Sequence, residues 1–320
     1  MKRLLRRMVL AAALTGMLPI PCFAQQLLIP VGEAIGLHLQ DGTVTVVAFD
    51  DTLGGPARNA GLQIGDQLLE IQGKPIRRAS DVRTALQEAP EEVSLTLARG
   101  SRRRTIHMTP GSDAAGPRLG VYLRQGVSGI GTVTWYDPDS KRFGALGHGV
   151  SGPQGMLTAM TEGNIYEAEI SSIVPGKSGQ PGLLKGNASS QIGTLYRNTP
   201  QGVFGKNRQG WLGEPLPIAS FEEIHQGAAA IRSTVDGGSP REYCVEILKI
   251  YPEDRQDCRN FLIKVTDPDL LTATGGIVQG MSGSPIIQDG RLIGAVTHVM
   301  VSDPTTGYGI FIGNMLDAAA

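Results

Sequence analysis

Near the C-terminal end of this 320-residue chain, the stretch Gly280-Met281-Ser282-Gly283-Ser284-Pro285 sets a hydroxyl between two glycines. Glycine loses the most backbone freedom on folding, so this spacing implies a backbone shape that side chains would obstruct. In such a turn the N–H groups of Gly280 and Ser282 can face one point. An acyl carbon attacked by the Ser282 hydroxyl would place its negative oxygen there, which makes Gly280 and Ser282 candidates for an oxyanion hole. A serine hydroxyl is a poor nucleophile near neutral pH unless a base takes its proton. Of the five histidines, His148 has the right setting. It sits in Phe143-Gly144-Ala145-Leu146-Gly147-His148-Gly149-Val150, where a glycine on each side leaves the imidazole accessible and lets the backbone pass close to a substrate. Ser284 reads as the residue that bends the chain into the strand at Pro285. His298 reads either as part of a specificity pocket or as a plain strand histidine, and Tyr308 has no evident role.

The elements that must hold these groups are mostly strands. Glycine (43) and proline (20) are abundant and long amphipathic patterns are few, which favours short strands joined by tight turns. After residue 119, strand-like runs appear at 131–136, 167–174, 191–196, 242–250, 262–266, 276–278, 285–288, 292–301 and 309–312. Turns such as Asp289-Gly290 separate them, and a Greek-key barrel or pair of barrels is the expected architecture for 119–320. Ahead of them, Pro56 can start a short helix, Gly61 can end it, Gly65-Asp66 makes a turn, and Leu68 to Ile71 supplies a strand ending at Gly73. A polar helix capped by Ser80 and a strand at 93–98 follow. Residues 29–110 thus resemble a PDZ domain of the bacterial type. The resemblance implies that Ile35-Gly36-Leu37-His38-Leu39 offers its backbone to a peptide as an added strand, with His38 facing solvent. A packing module that binds no peptide is the other reading. Residues 111–118, all small or turn-forming up to Pro117, read as a linker.

The bulk numbers narrow the class. With 41% apolar and 18% charged residues the chain is globular, and 29 basic against 30 acidic residues argue against nucleic acid as a partner. The local cluster Arg99, Arg102, Arg103 and Arg104 reads as a solvated strand edge. Residues 1–28 carry Lys2, Arg3, Arg6 and Arg7, then the apolar run Met8 to Leu18 and a small-residue ending at Ala24. That is the composition of a secretory signal, either cut or kept as a membrane anchor. Setting Cys22 aside, Cys244 and Cys258 are either a disulfide, which an exported location permits, or two reduced thiols. No cysteine–histidine cluster has ligand spacing, so neither a metal nor a cofactor is expected.

The Ser282 loop is similar to the nucleophile loop of chymotrypsin-like serine peptidases. The Gly-Ala-Leu-Gly-His run, the tract from Ile263-Lys264-Val265-Thr266-Asp267-Pro268 to Ile287, Ile293 to Val299, and Thr306 to Ile310 look like the stage IV sporulation protein B peptidases. The resemblance implies a mainly β chain with a signal segment, a PDZ domain and a chymotrypsin-like domain, and His148, Asp267 and Ser282 as base, orienting acid and nucleophile. Asp267 lies only fifteen residues before Ser282, so a place in a pocket that reads a basic side chain is an alternative, with Asp137, Asp139 and Asp236 as other candidate acids. By the same resemblance the chain is exported to the space between forespore and mother cell, is membrane-associated before it cuts its own N-terminal segment, and answers to an inhibitory protein. Its substrate would be a membrane-anchored regulator of an intramembrane metalloprotease, whose cleavage starts processing of a late sigma factor. A PDZ scaffold without turnover and a general envelope quality-control protease are the rival readings.

Overall fold

The computed structural model describes residues 26–89, 91–152, 155–255 and 257–320, so residues 1–25 of the expected signal segment at 1–28 lie outside the described residues, while Leu27 and the fully buried Leu28 belong instead to the first strand. The chain begins with β1 (Leu27–Pro30) and the long β2 (Ala34–Phe49), followed by α1 (Gly55–Asn59), β3 (Gln67–Ile71), β4 (Lys74–Pro75), α2 (Ala79–Gln87), β5 (Val93–Arg99) and β6 (Arg102–Met108). A small hairpin, β7 (Gly111–Asp113) and β8 (Gly116–Arg118), replaces the expected linker. Next come β9 (Val121–Asp137), β10 (Arg142–Ala145), β11 (Glu162–Val174), β12 (Leu183–Thr199), β13 (Gly202–Lys206) and β14 (Leu216–Pro217). The last third holds β15 (Gly227–Ser233), β16 (Arg241–Ile250), β17 (Phe261–Val265), α3 (Pro268–Thr274), β18 (Pro285–Gln288), β19 (Arg291–Met300), β20 (Asp303–Phe311) and α4 (Ile312–Ala319). The expected strand at 276–278 is irregular backbone instead, because Gly276 has φ +133° and Ile277 donates to the Pro304 carbonyl.

Two barrels result. In the first, β2, β9, β10, β13, β12 and β11 pair in that order, and β11 returns to β2. The second closes as β15-β16-β17-β20-β19-β18. Alternation builds them: along β16, Tyr243, Val245 and Ile247 point inward while Glu242, Cys244 and Glu246 point out. Val133, Phe143, Ile165 and Val203 fill the first barrel, and Ile231, Phe261, Ile263, Ile286 and Ile310 the second. The PDZ region packs α1 and α2 over β3 and β5 around Val46, Leu68, Ile71, Val82 and Leu95. Its buried Asp66 accepts two hydrogen bonds from Arg99, each 2.7 Å, so Arg99 is a structural partner rather than part of a free basic edge. The helix expected to be capped by Ser80 begins at Ala79, where the Asp81 carboxylate accepts from the N–H groups of Arg77 and Arg78 (both 2.9 Å).

The expected boundary between a PDZ domain at 29–110 and a peptidase domain at 119–320 is corrected by β2. Residues 35–39 pair on one side with β11 (Gly36 opposite Tyr166) and on the other with β9 (Gly36 opposite Ile130). Ile35, Gly36, Leu37, His38 and Leu39 are therefore a barrel strand with both edges filled, and no peptide can add to it. The PDZ region is an insertion between the first two strands of the first barrel. After a register shift between Leu39 and Val44, β2 continues into the PDZ sheet, where residues 44–49 pair with 121–125 of β9. Two unbroken strands thus join the PDZ sheet to the barrel.

Candidate active site

The site forms where the barrels meet. Leaving β10, the chain passes through Leu146 and Gly147, both in the left-handed region (φ +70° and +66°). For leucine that conformation costs roughly 1–3 kcal/mol, and here it is held by burial of the side chain and by the bond from the Leu146 N–H to the Thr132 carbonyl (3.2 Å). The bend carries His148 across to β19. A side chain at Gly147 would come within 2.9 Å of Thr297 and 3.0 Å of Ile310. Beyond His148 the loop is pinned by Asn198, at the end of β12. Its Oδ1 accepts from the Val150 N–H (2.9 Å), and its Nδ2 donates to the carbonyls of Val150 (2.9 Å) and Thr158 (3.0 Å). Sequence reading missed Asn198; the signal available was a polar side chain opening the Asn-Thr-Pro turn between two strands.

The nucleophile loop is gripped from the first barrel. Buried Thr132 donates its hydroxyl to the Gly280 carbonyl (2.8 Å) and its N–H to the Ser282 carbonyl (3.0 Å), and the Thr134 hydroxyl donates to the Gly283 carbonyl (2.8 Å). Gly283 (φ +96°) has no room for a side chain, since a Cβ would sit 2.0 Å from the Thr132 oxygen and 2.5 Å from the Leu146 nitrogen. With every carbonyl of the turn tied down, the N–H groups of Gly280 and Ser282 donate to no acceptor among the described residues. Ser284 is fully buried and donates to the Met281 carbonyl (2.7 Å), so it shapes the turn and does not reach the cavity.

His148 and Ser282 line one cavity of about 460 Å³, together with Gly280, Leu37, Leu39 and His298. Part of the segment expected to hold a PDZ ligand therefore walls this cavity from β2. His38 instead bonds through Nδ1 to the Ser128 hydroxyl (2.7 Å). The Nδ1 of His148 lies 3.0 Å from the Gly149 carbonyl, which can only accept, so the proton of the neutral ring is on Nδ1 and Nε2 carries a lone pair. Burial pushes the His148 pKa below the ordinary 6.5, partly offset by the Gly149 carbonyl. Its ring packs on His298 with centroids 5.1 Å apart. Burial, and next the adjacent His148, push the His298 pKa down to about 4. Ser282 Oγ donates to the Thr297 carbonyl (2.7 Å), so the hydroxyl rests on β19.

Asp267 is not brought to His148. Its Oδ1 accepts from the N–H groups of Asp269 and Leu270 (both 3.0 Å), capping α3, and its Oδ2 accepts from the Cys244 N–H (3.2 Å). The expected orienting role is replaced by a structural one, because a carboxylate opening a helix is captured by the first free N–H groups. Nor does it line the cavity as the reader of a basic side chain. Asp137 bonds to its own turn at Asp139 and Ser140, and Asp236 to Arg241 and Gly238. Among the described residues no carboxylate bonds to His148. No disulfide joins the exposed Cys244 to the buried Cys258, and no cluster of metal-ligating side chains occurs among the described residues.

Two family models match this chain. The model described as SpoIVB peptidase S55 matches residues 116–316, and that described as PDZ domain matches residues 53–99. The chain belongs to the SpoIVB peptidase S55 family. The family match begins after the PDZ region, whereas the first barrel also takes residues 34–40 of β2 from in front of it. Among curated proteins, this chain is similar to a "Probable periplasmic serine endoprotease DegP-like" of Pseudomonas fluorescens, with 27% identity over 126 residues, 37% of this chain and 26% of that protein. It is also similar to "Serine protease HTRA2, mitochondrial" of Drosophila virilis, with 34% identity over 65 residues, 20% of this chain and 15% of that protein. The chain spans about a quarter or less of the length of these relatives. Among solved structures, the Rv3671c protease from M. tuberculosis in its active form aligns with a TM-score of 0.36 and 16% identity, over 62% of this chain and 75% of that one.

Proposed function

We propose that this peptidase is a serine endopeptidase in which Ser282 is the nucleophile and His148 the base, without a carboxylate behind the histidine. The observation that carries it is the pair of unbonded N–H groups at Gly280 and Ser282, opening on the cavity that holds Ser282 and a neutral His148. Ser282 Oγ attacks the peptide carbonyl while His148 Nε2 takes its proton, and the oxygen turns negative against the two N–H groups. His148 then gives the proton to the departing amine, and water releases the acyl group by the same route in reverse. The Gly149 carbonyl stands where an acid would, holding the tautomer without adding charge.

At rest the Ser282 hydroxyl is tied to the Thr297 carbonyl. Beyond Val296 the edge of β19 facing the cavity pairs with no strand among the described residues, and a peptide laid there would offer N–H groups to that carbonyl. Substrate thereby frees the hydroxyl to turn to His148. The PDZ ligand would instead lie along the edge of β9 at 121–124, which α2 flanks and which among the described residues pairs only with β2. A peptide there would act on the same strand that walls the cavity at Val127 to Ile130.

The biological setting we propose is sporulation signalling. The peptidase is exported to the space between forespore and mother cell, frees itself from the membrane by cutting its own N-terminal segment, and cleaves a membrane-anchored regulator of an intramembrane metalloprotease, under control of an inhibitory protein. Family membership and the basic-then-apolar N-terminal composition support this reading; no helix among the described residues is long and apolar enough to cross a membrane. The test follows N-terminal self-cleavage of purified wild type and Ser282→Ala by mass spectrometry. Shortening of wild type alone is expected, and shortening of both at equal rates would remove Ser282 as nucleophile.

A further inference from the structure

The wall of the cavity beside His148 carries His298, which the cleavage chemistry does not use, and one strand further, beyond the cavity lining, stands Arg259. His298 on β19 stands directly opposite Tyr308 on β20. Over the Tyr308 ring lies the guanidinium of Arg259, 4.8 Å from the centroid, from the loop between β16 and β17. Nε of Arg259 and Nδ1 of His298 are both shielded from solvent and have no hydrogen-bond partner among the described residues. Arg259 Nε is a buried donor left without an acceptor, which is rare in folded chains and costly, and Nδ1 of the neutral His298 donates in one of its two tautomers. Asp257, two residues away, does not serve: Arg255 holds it through Nη2 (2.9 Å) and Nε, and its Oδ1 accepts from the backbone N–H of Arg259 (3.3 Å).

What the Arg259 guanidinium lacks is an acceptor, and one with negative charge matches it best. A guanidinium stacked on an aromatic face keeps its N–H groups in the plane of the fork, the geometry that a carboxylate matches. The unpartnered edge of β19 runs through Thr297, His298 and Val299 along the cavity, so a peptide seated on it passes its side chains over His298 toward Tyr308. We propose that Arg259 and His298, on the platform of Tyr308, form a subsite for an acidic side chain, glutamate or aspartate, of the peptide bound along β19. This specificity rests on the peptidase reading. It selects the substrate by a carboxylate close to the cut bond, in addition to whatever the PDZ region reads at a distance.

The test digests a random peptide library with wild type, Arg259→Gln and Arg259→Glu, and reads the residues flanking each cut by mass spectrometry. Wild type is expected to enrich Glu and Asp about tenfold or more at one position within about four residues of the cut, the ratio of a charge-assisted hydrogen bond. Arg259→Gln should bring that enrichment to near unity, and Arg259→Glu should shift it to Lys and Arg. No acidic enrichment in wild type, or enrichment that survives Arg259→Gln, overturns the subsite. The same library captured on Ser282→Ala reads selection without turnover. Acid-selective retention with no cleavage by wild type would leave the subsite standing and remove the peptidase reading, and unselective retention would remove the subsite. Should both Arg259 variants fail to fold, Glu and Gln versions of one retained peptide compete on the folded protein, and equal retention overturns the subsite.

Discussion

Replacing Asp267 separates an orienting acid from a helix cap. Its carboxylate accepts from Asp269 and Leu270 at the start of α3 and from Cys244 on β16. Asp267→Ala removes the cap, costing about 0.5–2 kcal/mol. The Cys244 N–H adds little, because that residue is exposed and water can replace the lost acceptor. For a unit of this size a loss of 1 kcal/mol lowers Tm by roughly 2–4 °C, so Asp267→Ala should melt about 1–8 °C below wild type. Asp267→Ser restores an acceptor at the cap and should recover most of that difference. Turnover should follow the loop and not the charge. Because α3 leads through Gly275 to the Ser282 turn, Asp267→Ala should lose roughly tenfold or less in kcat, and Asp267→Ser should recover most of it. Were Asp267 the acid behind His148, both variants would lose about 10⁴ in kcat whatever their stability. The assay pairs thermal unfolding with peptide hydrolysis. An Asp267→Ser protein that melts like wild type yet turns over a thousandfold more slowly would refute the assignment of Asp267 as a cap alone.

Two further outcomes follow from the geometry around His148. Asn198→Ala cuts all three bonds that pin Val150 and Thr158, and should lower kcat about tenfold to a hundredfold while Ser282 can still be titrated by a fluorophosphonate; an unchanged kcat would show that the loop holds without it. Because His148 acts as a neutral base with its pKa depressed by burial, the acid limb of kcat/KM should lie below pH 6.5, and a limb above 6.5 would contradict the buried setting. The depressed histidines also set a stability slope: unfolded histidines take up protons first as pH falls, so stability should be full above about 6.5 and decline toward pH 4, where folded His298 titrates. Denaturant unfolding at pH 7 and pH 5 reads this, and His298→Asn should flatten the decline.

The chemistry was legible in local sequence because the Ser282 turn is a local object. Its glycines answer to atoms within van der Waals reach, and a Gly-x-Ser-Gly pattern needs no knowledge of distant strands to imply crowded backbone. His148 was legible for the same reason, flanked by Gly147 and Gly149. The alternating runs gave most of the second barrel, since each strand there buries one face in a single core. Asp267 was misread because resemblance passes on a role without a distance, and capping geometry appears only once α3 is seen to begin at Pro268. Ile35 to Leu39 fit the pattern of a PDZ strand as well as that of a barrel strand. Alternation says that a strand exists, while which neighbours fill its edges depends on pairings with residues about a hundred positions away. Asn198, the grip of Thr132 and Thr134 on the nucleophile turn, and the meeting of Arg259 with Tyr308 share that property. The sequence determined which residues could react and how the chain must turn around them; only the closure of the barrels decided which side chains stand beside them, because long-range pairing is set by the whole hydrophobic and hydrogen-bonded ensemble and not by any window of the chain.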